Sequence, residues 1–141
     1  MRTIAVLIAL FLSQLFQAQT QDSPQVSVTV ENIKSDDGTI LFGVYSETTF
    51  LKAAPEFYAK SDIVDGVASV TFKDLPPGTY AISCFHDKNS NSQMDFEPTG
   101  MPLEPYGVSN NKTNDYGPPL WNDSKFELGE ASLDLNIKLT N

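Results

Sequence analysis

Apolar residues recur at every second position in five stretches of the chain. Val26, Val28 and Val30 alternate with Ser27, Thr29 and Glu31. Ile40, Phe42 and Val44 alternate within residues 39–45, and Ala68, Val70 and Phe72 within residues 67–72. Tyr80, Ile82 and Cys84 share one face of residues 80–86, with Ala81, Ser83 and Phe85 on the other. Leu133, Leu135, Ile137 and Leu139 alternate with Asp134, Asn136 and Lys138. A period of two predicts strands with one buried face. Ser35-Asp36-Asp37-Gly38 predicts a hairpin that pairs the first two strands, and Asp65-Gly66 predicts a second turn. Asp74 to Tyr80 (DLPPGTY) reads as a tight connection, its prolines fixing φ and Gly78 permitting the reversal. Between these, Ser46 is placed to cap a short helix with Phe50, Leu51 and Ala54 on one side and Pro55 as its stop. Phe57 and Tyr58 then tuck the crossover onto the edge, and Lys125 to Leu128 forms a short strand. The expected fold is all-β: an antiparallel β-sandwich of about seven strands, with one long ordered loop and at most a short helix.

The first eighteen residues follow a different rule. Arg2 precedes the apolar run Ile4 to Phe16, and Gln17-Ala18 follows before the chain turns polar. Positive start, short apolar run and small residue describe a secretory signal peptide over residues 1–18, cleaved after Ala18. The run is too short to span a bilayer, and no other stretch approaches about twenty apolar residues. Residues 19–24 form a short leader and 25–141 a single domain, exported to the periplasm or beyond, without membrane insertion after cleavage.

Charge and composition narrow the chemistry. Removing the signal takes away one of nine basic residues and none of eighteen acidic ones, moving the net charge from -9 to about -10. Such acidity excludes nucleic acid and anionic membrane surfaces as partners, since both reward clusters of Lys and Arg. One Cys rules out an intramolecular disulfide, and one His rules out multi-His metal sites. Cys84, within an apolar strand pattern and without a basic neighbour, is expected to pack as a small hydrophobe.

Regular alternation stops from Asp87 to about Trp121. The segment opens D-K-N-S-N-S-Q-M-D-F-E, with oxygen-bearing side chains at Asp87, Asn89, Asn91 and Asp95. These are positions 1, 3, 5 and 9 of a calcium loop, and Gln93 at position 7 would offer its backbone carbonyl. Ser92 stands where Gly usually makes the bend, and Pro98 where a bidentate Glu usually closes the site. Glu97, one residue early, is the expected substitute. The donor set implies affinity of the extracellular order, about 10⁻⁴ to 10⁻³ M. A second reading stays open, because Asn, Ser and Asp also build solvated turns by bonding their own backbone. His86, at the strand end, is expected to fix a loop carbonyl, and no nucleophile-elbow signature accompanies it.

Further along, Tyr106, Tyr116 and Trp121 either pin the long segment or, with Asn110 and Asn111, present a surface for a glycan or a protein. Asp87, Asp95, Glu97 and Glu104 also admit a carboxylate-pair hydrolase. The leading expectation is a non-enzymatic binding or structural module, with calcium as its one candidate cofactor.

The motifs DLPPGTY (74–80), H-D-x-N-x-N-x-x-x-D (86–95), G-M-P-x-E-P-Y-G-V-S-N-N (100–111) and Y-G-P-P (116–119), closed by an alternating strand, resemble an exported bacterial family called domain of unknown function 2141. The resemblance runs from about Val26 to Leu139. It implies a small immunoglobulin-like or transthyretin-like β-sandwich, exported by a Gram-negative bacterium, with no established activity. The chain departs from the family pattern at Ser92, where Gly is usual.

Overall fold

In the computed structural model, which describes residues 23–140, the alternating stretches become strands. They are β1 (Val26–Val30), β2 (Thr39–Tyr45), β3 (Phe57–Asp62), β4 (Ala68–Phe72), β5 (Gly78–Asp87), β6 (Tyr106–Val108), β7 (Phe126–Leu128) and β8 (Leu133–Ile137). A 3₁₀ turn (Ser109–Asn111) and one helical turn, α1 (Trp121–Ser124), lie between β6 and β7. The signal peptide expected over residues 1–18, and residues 19–22 of the leader, lie outside the described residues. Among those described, no helix is long and apolar enough to cross a membrane.

Two sheets pack as a sandwich. The smaller has the order β4-β1-β8, and the larger β3-β2-β5 with β6 and β7 sharing the far edge of β5. Val26, Val28 and Val30 of β1 face Ile40, Phe42 and Val44 of β2 and Ile82 and Cys84 of β5 in one core, joined by Phe72 and Ile137. Opposing apolar faces of this kind are what period-two patterning predicts. A smaller cluster covers the outer face of the large sheet, where Phe50, Ala81 and Val108 pack with Tyr45 and Trp121. Both Ala81 and Ile82 are therefore buried, one on each face.

The expected all-β sandwich is present, and four details of its wiring were not in the sequence reading. First, β1 and β2 do not pair. β1 lies between β4 and β8, while β2 lies between β3 and β5. Eight residues separate them, enough to carry the chain across the roughly 10 Å gap between sheets, so their apolar faces meet through the core rather than side by side. Second, residues 46–54 form hydrogen-bonded turns rather than a helix. Ser46 carbonyl accepts the N–H groups of Thr49 and Phe50, Thr49 carbonyl accepts those of Lys52 and Ala53, and Leu51 between them stands at φ 54°, outside helical geometry. Phe50 is buried but Leu51 and Ala54 are exposed, so no common face forms. Third, the residues after Pro55 make a full edge strand, β3, which with β6 brings the count to eight. Fourth, the β1–β8 pair is parallel, Val26 opposite Leu133 and Val30 opposite Ile137.

One long edge strand is interrupted. β7 pairs with residues 78–80 of β5 and β6 with residues 83–85, both antiparallel. Between them, residues 109–125 leave the ladder. At the gap the Ser109 hydroxyl accepts the Ile82 N–H at 3.0 Å and donates to the Ser124 carbonyl, so a side chain replaces the missing strand. Gly107 lies against β8, where an added Cβ would sit 2.5 Å from the Lys138 carbonyl oxygen and 2.6 Å from Ile137 Cγ2. That approach closes the corner between sheets, sealed by Thr140 N–H donating to the Tyr106 carbonyl at 2.7 Å.

Candidate functional site

β5 delivers its last two residues, His86 and Asp87, to the end of the sandwich, both buried. His86 N–H donates to the Pro105 carbonyl, and its Nε2 lies 2.6 Å from the Asp37 carbonyl oxygen. A carbonyl only accepts, so Nε2 carries the proton. The ring thus anchors the 31–38 connection to β5, the fixing role expected for a His at a strand end. Gly38, at φ 73°, lies against the Asp87 carbonyl where a Cβ would collide. The turn and the start of the 87–95 loop are therefore seated on one another.

The loop folds around its own carboxylates. Asp87 accepts the Asn91 N–H on Oδ1 at 3.2 Å and the Ser92 N–H on Oδ2 at 2.9 Å. Asn89 Oδ1 accepts Asn91 N–H, and Asn91 Oδ1 accepts Gln93 N–H. From the same side chains Asn89 Nδ2 reaches Asp95 Oδ2 at 2.7 Å, while Asn91 Nδ2 reaches Asp95 Oδ1 at 2.9 Å and Oδ2 at 3.1 Å. Asn89 and Asn91 thus point inward, their amide N–H groups on Asp95 and their oxygens on the loop's own backbone. Ser92 stands at φ 61° and Ser90 at φ 57°, so the backbone takes the left-handed bend without Gly, at a cost of about 1–2 kcal/mol per residue.

Glu104 closes the loop from outside it. Its buried carboxylate accepts the Lys88 N–H at 2.9 Å and the Asp95 N–H at 3.2 Å, tying both ends of the segment together. Glu97 instead lies on an exposed tip, where its N–H donates to the Met101 carbonyl and its carboxylate accepts the Thr99 hydroxyl at 3.4 Å. The Gln93 side chain is exposed, which leaves its backbone carbonyl as the group of interest. Among the described residues no three His, Cys, Asp or Glu side chains gather at a metal-binding distance. The convergence is of two carboxylates with two amides. Sequence reasoning placed Glu104 only among possible catalytic acids. Its position inside the G-M-P-x-E-P-Y motif was the available signal for a structural role.

The aromatic candidates are dispersed. Trp121 packs on Phe50, with ring centroids 5.8 Å apart, so it holds the 109–125 excursion to the sheet. Tyr106 lies half-buried on β6, whereas Tyr116 is 99% exposed and pins nothing. The two asparagines act as clamps. Asn110 Nδ2 donates to the Asp123 and Lys125 carbonyls, and Asn111 bonds the Asn136 carbonyl and the Lys138 N–H on the outer edge of β8. Of the acids considered for hydrolysis, Asp87 and Asp95 face the loop interior and Glu104 has an oxygen on each of two N–H groups.

Residues 28–136 match the sequence model of a family described as an uncharacterized protein conserved in bacteria (DUF2141), and the chain belongs to that family. Comparison with curated proteins and with solved structures returns no match.

Proposed function

We propose that this family member is an exported binding or structural module, not an enzyme, whose 87–95 loop is organised by a calcium ion. The observation that carries the reading is the convergence of Asn89 and Asn91 on the Asp95 carboxylate, with Asp87 bonding the backbone at positions five and six. Hard oxygen donors at alternate positions of a tight loop suit calcium rather than a softer metal. Turning the two amides over would set their oxygens beside Asp95 and release the Asn91 and Gln93 N–H groups those oxygens now accept, a loss that a cation held between the oxygens would have to offset. Asp87, Asn89, Asn91, Asp95 and the Gln93 carbonyl would hold it, and the ion would supply rigidity rather than chemistry. Glu97 would join only if the tip rearranged, while Glu104 keeps the loop ends in place. Export rests on the first eighteen residues, and amino-terminal sequencing of the secreted chain is expected to begin at Gln19.

Thermal melting tests the ion. A ligand that prefers the folded state raises its stability by RT ln(1 + [L]/Kd). At about 10 mM calcium and a Kd of about 1 mM this amounts to about 1.4 kcal/mol, or a Tm about 5 °C above that in chelator. Asp95→Ala is expected to abolish the rise, and magnesium to give less of it. An unchanged midpoint across the calcium range would sink the reading. A sugar platform is less well supported, because Trp121 is committed to Phe50 and Tyr116 projects alone.

A further inference from the structure

A cleft of about 740 Å³ opens beyond the ends of β1, β5 and β8 beside the Asp87–Asp95 loop, and Asp87, Asn89, Asn91 and Asp95 are not among its lining residues. Its volume falls within the range of about 300–1,000 Å³ that small-molecule sites occupy. Leu103, Tyr106 and Leu139 give it an apolar side, and Leu103 remains 56% exposed at its mouth. Lys34, Lys88 and Lys138 line the same space. Among the described residues the one ion pair is Lys112 with Asp123, so none of these three lysines has a carboxylate within 4.0 Å. Two carboxylates also line the cleft. Glu104 has both oxygens on backbone N–H groups, and Glu31 accepts from Asn136 at 3.5 Å. In a chain with a net charge of -9, three lysines against two carboxylates, both already hydrogen-bonded, leave this cleft with a local excess of one positive charge.

We infer that this cleft binds a small amphipathic organic anion, a carboxylate carried on an apolar chain. Charge complementarity selects the head. A lysine ammonium is a compact point charge that meets a carboxylate without the planar register an arginine imposes. Burial of Leu103, Tyr106 and Leu139 against the body of the ligand supplies the apolar part of the affinity. The proposal goes beyond the calcium reading and does not depend on it.

Octanoate and octanol are the probes, titrated calorimetrically into the full chain in the presence of chelator, so that the result is independent of calcium. Octanoate is expected to bind with a Kd at or below about 1 mM, and octanol at least about tenfold more weakly. The triple variant K34Q/K88Q/K138Q changes only exposed side chains. It is expected to keep the parent melting temperature and to lose the preference for octanoate. Leu103→Ser is expected to weaken both probes, and inorganic phosphate at about 10 mM to compete poorly, since it lacks an apolar body. Equal binding of octanoate and octanol, binding of neither, or an unchanged octanoate affinity in the triple variant would each overturn the proposal. Effective competition by phosphate would do the same, by reducing the site to a bare anion patch.

Discussion

Cys84 sits on the core face of β5 with no exposed surface, and burial pushes its thiol up to about 12 from an ordinary 9.0. The unfolded chain therefore releases this proton from about pH 9, and the folded chain only near 12. Across that window the unfolded state binds fewer protons, so stability falls as pH rises. Thiol reagents are expected to modify Cys84 in the native protein only at the rate of its opening. Rapid labelling at pH 8, equal to that in denaturant, would refute the buried assignment. Ser109 carries a different burden, since its hydroxyl alone satisfies the Ile82 N–H where the strand is broken. Ser109→Ala leaves a buried donor and the Ser124 carbonyl without that partner, at an expected cost of about 2–3 kcal/mol in denaturant melts. The Cys84 environment was legible from its alternating neighbours. The Ser109 role was not, because nothing in V-S-N-N reveals that a strand ladder stops there.

Elements were read well where polarity alternates and poorly where it does not. In β3 the inward side is small, Ala59 and Ser61 being its partly buried residues, so its alternation is one of size more than of polarity. β6 is too short to carry a period, and its place follows from the β5 edge and the contact that Gly107 allows. The 46–54 segment had a helix cap and an apolar stripe, yet tertiary packing of Phe50 under Trp121 overrode both. The loop pattern was legible residue by residue from Asp87 to Asp95, whereas Glu104 lies too far along for a local spacing rule. Trp121 joins α1 to the sheet, so its removal belongs at this scale. Trp121→Ala is expected to cost about 2 kcal/mol, less than a fully buried aromatic, and to speed proteolysis within residues 112–120. Unchanged cleavage there would show that another contact holds the excursion.

At the scale of the whole molecule, the alternation of five stretches was enough for the sandwich but not for its wiring. Both partners of β1 are remote in sequence, β4 across 38 residues or more and β8 across 107, from the registers Val30 with Ala68 and Val26 with Leu133. No local signal encodes a pair that distant, which is why the Asp37-Gly38 turn misled. The same wiring sets an order of events. The large sheet can assemble β2, β3 and β5 as soon as residues 39–87 exist, but β1 keeps one open edge until residues 133–137 arrive. Non-local closure of this kind is slow, on the order of milliseconds to seconds for sandwiches. A chain stopped before Leu133 is expected to aggregate through that edge, a result that size-exclusion chromatography of the shortened chain would reveal. Late completion has a direct consequence: a nascent chain that still lacks residues 133–137 cannot close the sheet around β1, so that strand stays free to exchange partners until they are made.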